Sequence, residues 1–399
     1  MFKTLSYRII QKVLYGFSFV IPWKFPEVIQ THESPKVLIQ LLLEHKIKSI
    51  LLVTDQSLRQ LKMIDPFLNL LEEHHINVVI YDGVVPNPTL ENVEEGYALI
   101  KQFPIEWIVA IGGGSVIDCA KAIGVKMVRK TPLKKLKGIL KVIKRIPPCV
   151  CIPTTAGTGS ETTVASVLSD PVTKEKFAIS DPALFPHTAI LDPTLIASLP
   201  LPILASTGMD ALTHAIESLL NQNHTKQTIS DAQQALEIIF KHLPLAYTTQ
   251  NIDHKEKMLW ASFLAGRSFT RAYVGYVHGL AHQLGAFYHI PHGVANAVVL
   301  PHVLRTYGPI IEPKLNEWYK HYINPTSMLS VSDGAQALIE HIEAMNASMN
   351  IPKHFKQLKD EDFDAIAVSA LKEVHPTYPV PRFLTHLDLV SILHKVKGY

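Results

Sequence analysis

The stretch Trp107-Ile108-Val109-Ala110-Ile111-Gly112-Gly113-Gly114-Ser115-Val116-Ile117-Asp118-Cys119-Ala120-Lys121-Ala122-Ile123-Gly124 sets the fold class of this 399-residue chain. Its first five residues form an apolar run that reads as a buried strand, and the residues after the glycines are apolar at helical spacing. Glycines at the junction let a backbone pass close to a bulky ligand without side-chain obstruction. The helix N-terminus behind them offers unpaired N–H groups and the positive end of a dipole, which suits a phosphate. The spacing is not the G-x-G-x-x-G fingerprint. A plainer reading stands beside it, because Ser115 and Asp118 form an S-x-x-D pair, a capping box that needs no ligand.

Outward from this turn, residues 49–192 alternate strand and helix. Strands are expected at 49–53, 78–81, 107–111, 150–152 and 188–191, with helices over 66–74 and 91–101. Such alternation predicts a mostly parallel sheet covered on both faces. After Pro200-Leu201-Pro202 strand signals nearly vanish, and residues 205–220, 230–241, 255–270 and 335–349 carry helical spacing. The expected architecture is therefore an α/β nucleotide-binding domain over residues 1–200, with 1–25 an extra helical segment, followed by an all-α domain over 201–399.

Bulk composition narrows the partners. Hydrophobic residues make up 47% and charged residues 18%, as in a globular protein with ample core, and a net charge of +3 is too small to imply nucleic acid. Cys119, Cys149 and Cys151 are an odd set in a long chain and read as reduced thiols of a cytoplasmic protein, with Cys149 and Cys151 on one face of a strand. Residues 1–23 mix Lys3, Arg8 and Lys12 with apolar residues, too short a run to span a bilayer and lacking a signal-cleavage site. Two readings stand: a helix packed on the protein's own surface, which is preferred, or a helix touching a membrane. Residues 126–145 hold nine basic residues and no acid, either a solvated face between two strands or a positive rim that steers a nucleotide.

In the helical half, Asp210 and His214 stand four apart, which stacks a carboxylate and an imidazole on one helix face. His278 and His282 repeat that spacing, and His292 follows fourteen residues after His278, with His289 and His302 nearby. Their neighbours are Leu, Ala, Gly and Val, so burial is expected, and buried imidazoles need partners. A divalent cation would serve, and nitrogen and oxygen donors without thiolate suit zinc or iron(II). Spacing alone does not choose among His278, His282 and His292.

Taken together, these stretches resemble the iron-containing (group III) alcohol dehydrogenase family, within the dehydroquinate synthase-like fold. The likeness rests on Gly112-Gly113-Gly114-Ser115 with Asp118 and Lys121, on residues 153–161 (PTTAGTGSE), on 208–217 (GMDALTHAIE), on 278–282 (HGLAH) and on 291–297 (PHGVANA). The resemblance implies that Asp210, His214, His278 and His292 hold one metal ion, Fe(II) or Zn(II), while His282 relays a proton beside it. It implies NAD contacts at Asp55, Asn87, Gly112, Gly113, Gly114, Ser115, Asp118, Thr154, Thr155, Thr158 and Lys176, with cofactor and metal in the cleft between the domains. A carboxylate at Asp55 accepts from a ribose 2′-hydroxyl and repels a 2′-phosphate, which favours NAD over NADP.

The resemblance implies reversible hydride transfer between a primary or secondary alcohol, or the matching aldehyde or ketone, and NAD, in a homodimer. The competing readings are a dehydroquinate synthase-like lyase that uses NAD transiently and a non-catalytic nucleotide or metal sensor. Several positions depart from the family pattern: Thr31-His32-Glu33-Ser34 replaces a glycine-rich turn, residues 1–25 extend the usual start, and Arg271 stands where many members carry asparagine. Arg271, with Tyr273, Val274 and Tyr276, is expected to shape the substrate pocket.

Overall fold

The structure, a computed structural model, describes residues 2–21, 23–173 and 175–398. Its contacts divide the chain into two compact units, Pro22–Leu199 and a second made of Met1–Ile21 with Pro200–Tyr399.

The first unit carries strands β1 (Glu27–Gln30), β2 (Ser49–Val53), β3 (Asn77–Tyr81), β4 (Trp107–Gly112), β5 (Gly138–Ile139), β6 (Cys149–Pro153), β7 (Ala165–Asp170), β8 (Glu175–Ser180) and β9 (Thr188–Leu191). Six of them form one sheet in the order β1-β9-β6-β4-β2-β3, parallel throughout. Every residue of β2, β4 and β6 is buried, because helices cover both faces. Alternation along the strands sorts the core into two layers. Leu51, Val53, Ile108, Ala110, Cys149 and Cys151 face one way, and Ile50, Leu52, Val109, Ile111, Val150 and Ile152 the other. Cys149 and Cys151 Sγ lie 3.7 Å apart on their shared face, unbridged. Strand order reverses between β2 and β4, since β3 continues on one side of that pair and β6 and β9 on the other. A crevice beyond the carboxyl ends of strands at such a reversal is where open α/β sheets bind ligands.

Two features of this unit differ from the sequence reading. β1 adds an edge strand, and β7 and β8 form an antiparallel hairpin with β5 beside β8. Of the nine basic residues in the run 126–145, three meet acids: Lys126 pairs with Glu94, Lys134 with Asp170 and Lys137 with Glu175, while Arg129 Nε donates to Val142 O.

Before the sheet comes α1 (Phe2–Ser18), and within this first unit α2 (Ser34–Glu44), α3 (Gln56–Gln60), α4 (Asp65–Glu73), α5 (Leu90–Ile100) and α6 (Gly114–Val128) flank the strands. The second unit holds α7 (Leu201–Leu220), α8 (Lys226–Thr249), α9 (Ile252–Ala272), α10 (Tyr276–Tyr288), α11 (His292–Tyr307), α12 (Glu312–Trp318), α13 (Val331–Ser348), α14 (Phe363–Val374) and α15 (His386–Lys397), with no strand among the described residues. α7 is buried on nearly every side from Leu204 onward, the mark of a helix at the centre of a bundle.

α1 corrects the expected grouping of residues 1–25 with the α/β domain. Gln11 donates to the carbonyls of Pro376 and Tyr378, Arg8 to that of Pro381, and Tyr15 to that of His224. Residues 1–21 thus belong to the helical unit.

Candidate functional site

In the helical unit, the four-residue spacing on α7 puts Asp210 and His214 side by side, and α10 and α11 bring His278 and His292 to them. Gly293 permits the approach of α11, since a Cβ there would lie 2.2 Å from Ser206 O on α7. Asp210 Oδ1 stands 3.9 Å from His214 Nε2, 3.5 Å from His278 Nε2 and 3.6 Å from His292 Nε2. Donors held about 2.0–2.2 Å from a common tetrahedral ion stand about 3.3–3.6 Å apart, so this spacing fits a small divalent cation. Asp210, His214 and His278 are buried and have donors mutually within 4.8 Å. His292 lies outside that mutual group, although it meets Asp210, and its side chain is 24% exposed.

The electrostatics agree with a cation. Burial alone would raise the Asp210 carboxyl, but His214, His292 and His278 outweigh it and hold the group well below the usual carboxylate range. Burial alone would lower His278, yet hydrogen bonds to Asp210 and Glu217 push it up to about 9. Two buried carboxylates therefore favour positive charge here.

Three residues that sequence reasoning left without a role surround these side chains: Glu217 and Asn296 brace the cage, and Glu373 holds His282. Glu217 Oε2 lies 2.6 Å from His278 Nδ1, and the carboxylate also accepts from Gly275 N and Val277 N at 2.8 Å each. A carboxylate behind a ligating imidazole fixes its tautomer and raises its basicity. Asn296, four residues after His292, donates from Nδ2 to Asp210 Oδ1 at 2.6 Å, while its Oδ1 has no hydrogen-bond partner among the described residues. Glu373 Oε1 lies 2.7 Å from His282 Nδ1 and also accepts from Tyr378, while Oε2 accepts from Gln283.

His282 is set apart from the cage by that bond. Its ring stacks on His292 with centroids 5.0 Å apart, but Nδ1 is committed to Glu373.

In the α/β unit, the nucleotide candidates follow the carboxyl ends of neighbouring strands: Asp55 after β2, Asn87 after β3, residues 112–115 after β4 and Thr154–158 after β6. Ser115 Oγ accepts from Asn87 N at 3.2 Å, and Lys176 Nζ donates to Asn87 Oδ1 at 3.0 Å, so three of the candidates share one rim. Thr154 N donates to Gly112 O, and Asp55 Oδ1 caps α3 by accepting from Leu58 N. A Cβ on Gly114 would lie 2.7 Å from Thr158 Oγ1 and one on Gly112 would lie 2.5 Å from Val116 Cγ2, whereas one on Gly113 would come no closer than 3.3 Å to Thr155.

Two expectations change here. The capping box does not form: α6 begins at Gly114 with Gly113 as its N-cap, so Ser115 already lies in the first turn and bonds Asn87 instead. Asp118 is turned inward, away from solvent, and accepts from Val167 N at 3.0 Å. Burial raises its carboxyl to about 6 despite the neighbouring Lys121. Lys121 is fully buried and donates to Ser160 O, Thr163 O, Thr163 Oγ1 and Ala165 O at 2.6–3.0 Å, clamping the second loop to α6.

The residues flagged as pocket-shaping are also redirected. The Tyr276 ring is buried with its hydroxyl 2.5 Å from His375 Nε2 and accepting from Leu384 N, and Arg271 sits over the Phe19 ring of the N-terminal segment. Tyr273, with φ of +65°, ends α9 and faces Tyr378.

Comparison with known proteins covers both units. Residues 26–193 match the family model described as iron-containing alcohol dehydrogenase, and residues 204–397 match the C-terminal model of the same family. The chain is 42% identical over 332 residues to 1,3-propanediol dehydrogenase of Citrobacter freundii, covering 82% of this chain and 86% of that one. It is 34% identical over 353 residues to the NAD-dependent methanol dehydrogenase of Bacillus methanolicus, covering 87% and 91%. A crystal structure of 1,3-propanediol oxidoreductase superposes with a TM-score of 0.89 at 36% identity, covering 94% of this chain and 99% of that one.

Proposed function

Because the chain belongs to the iron-containing alcohol dehydrogenase family, an assignment that carries metal-dependent hydride transfer between an alcohol and NAD, we propose that Asp210, His214, His278 and His292 hold its single catalytic ion. The observation that carries this assignment is the convergence of three imidazole Nε2 atoms on one oxygen of a buried carboxylate. The ion, Fe(II) or Zn(II), would supply Lewis-acid polarisation of the substrate oxygen, and NAD the hydride acceptor.

The protein's own residues position and move the proton. Glu217 orients His278 and Asn296 orients Asp210. His282 Nε2 takes the hydroxyl proton during oxidation and returns it during reduction, with Glu373 holding the ring and stabilising its charged form. Glu373 is thus a positioning residue that acts through His282.

On the cofactor side we assign Asp55 to the adenosine ribose. Gly112, Gly113, Gly114, Ser115, Thr154, Thr155 and Thr158 go to the phosphates, and Asn87 with Lys176 to the nicotinamide ribose. Asp118 serves by fixing β7 to α6. The substrates are small alcohols and their aldehydes, and the enzyme works as a cytoplasmic homodimer. The lyase and sensor readings have no support in the matched families.

The test is a panel of short alcohols and aldehydes with NAD and NADP, on metal-loaded and chelated enzyme. Turnover with NAD that disappears on chelation and returns with Fe(II) or Zn(II) is expected. Asp55→Gly should raise NADP use relative to NAD. Undiminished turnover without metal would refute the ion assignment, and an unchanged NADP:NAD ratio would remove Asp55 from the ribose.

A further inference from the structure

α1 is mounted with its polar side inward. Gln11 is buried and donates to Pro376 O at 2.9 Å and Tyr378 O at 2.7 Å. Arg8 donates to Pro381 O and lies over the Phe383 ring at 4.3 Å, and Tyr7 packs on His375 and Phe383. The opposite side is apolar and faces solvent. Leu5, Ile9, Val13 and Phe17, each four residues after the last, form one row and are 60%, 54%, 65% and 50% exposed. Ile10 flanks the row, and Phe19 and Val20 extend it past the helix end, at 60% and 76% exposure. Elsewhere among the described residues, exposed large apolar side chains are scattered along the chain, mostly singly. A contiguous exposed apolar ridge on a soluble fold marks a surface that meets another apolar phase.

Charge selects the partner. The first 26 residues contain no acid, and of the basic residues on α1 Lys12 is exposed while Arg8 is turned inward onto Pro381 O and the Phe383 ring. Two copies of this segment laid face to face would offer Lys12 no acid to pair with. An anionic lipid surface would neutralise it while taking up the apolar row, the behaviour of a helix lying in a membrane interface. Among the described residues no helix is long and apolar enough to cross a membrane, so the contact would be peripheral. We propose that α1 is a surface anchor that docks the enzyme on anionic lipid, its polar face bound to the 376–381 loop and its Leu5–Phe17 row in the headgroup layer.

The full-length protein is to be floated with vesicles of phosphatidylcholine containing one-quarter phosphatidylglycerol, and with pure phosphatidylcholine, at low and high salt. Binding to the anionic vesicles, weakened by salt, is expected. The triple change Ile9→Asn, Val13→Asn, Phe17→Asn should lower the bound fraction about tenfold or more, and Lys12→Glu should weaken binding about fivefold or more. These side chains are exposed, so thermal midpoint and alcohol turnover in solution should stay as in the wild type, which separates docking from folding and from the catalytic reading. Absence of binding to anionic vesicles at low salt, equal binding to neutral ones, or undiminished binding by the triple variant would overturn the proposal. A wild type that ignores vesicles, with a triple variant that halves the mass in sedimentation equilibrium, would show a second copy on this face and would also overturn it.

Discussion

Around the glycine turn of the α/β unit, several motif residues are held by protein contacts. Gly114 makes room for Thr158, Lys121 holds four oxygens of the second loop, and Asp118 receives Val167 N. The candidate metal cage of the helical unit is different. There three imidazole nitrogens are aimed at one buried carboxylate oxygen, a set of nitrogen and oxygen donors that a divalent cation would satisfy together. A motif residue can therefore mark a site in two ways: by making the loop that receives a ligand, or by being the ligand's own partner. Substitutions should separate the two, because the first kind costs stability and the second costs binding.

The largest effect is expected at Lys121. Lys121→Met strips a buried ammonium from its oxygens and leaves Asp118 and Glu161 without their cation. Unfolding in urea should show a loss of about 3–5 kcal/mol, with metal per folded chain unchanged. A loss below about 1 kcal/mol would mean the clamp carries little.

Glu217→Gln comes next. It should weaken metal binding about 10–100-fold in competition with a chelator, because His278 loses the carboxylate that sets its basicity. Asp118→Asn is the matched control and should leave metal affinity where it was. Equal effects from both would erase the distinction between the two regions.

The smallest and most discriminating pair lies within the turn. Gly114→Ala presses a methyl group into Thr158 and should lower stability by about 1–3 kcal/mol. Gly113→Ala meets Thr155 Cγ2 at 3.3 Å, a contact that a shift of a few tenths of an ångström relieves, so it should cost less stability than Gly114→Ala while KM for NAD rises. If Gly113→Ala left KM for NAD unchanged, that glycine would not face the cofactor.

How far the sequence could be read followed the range of the contacts. Strands β2, β4 and β9 were legible because β-branched and leucine runs bury both faces. β1 was not, since Glu27 and Gln30 are exposed ends of a four-residue edge strand, and in β7 serines fill buried and half-buried positions alike. In the site, Asp210 with His214 and the pair His278 and His282 were legible as helical spacings. Glu217 was within reach of the same rule, being three residues after His214 on the same helix face. Which imidazole leaves the cage was not, because Glu373, the partner that draws His282 aside, is 91 residues away. Nor could spacing show that Arg271 and Tyr276 turn toward the N-terminal segment and the 375–384 loop.

The measurement that reaches the centre of the account is metal stoichiometry on anaerobically purified protein, set beside His278→Ala and His292→Ala variants whose circular dichroism matches the wild type. The account predicts about one divalent ion per wild-type chain, near-complete loss of it in both variants, and loss of alcohol turnover in step. A full complement of metal in either folded variant would contradict it.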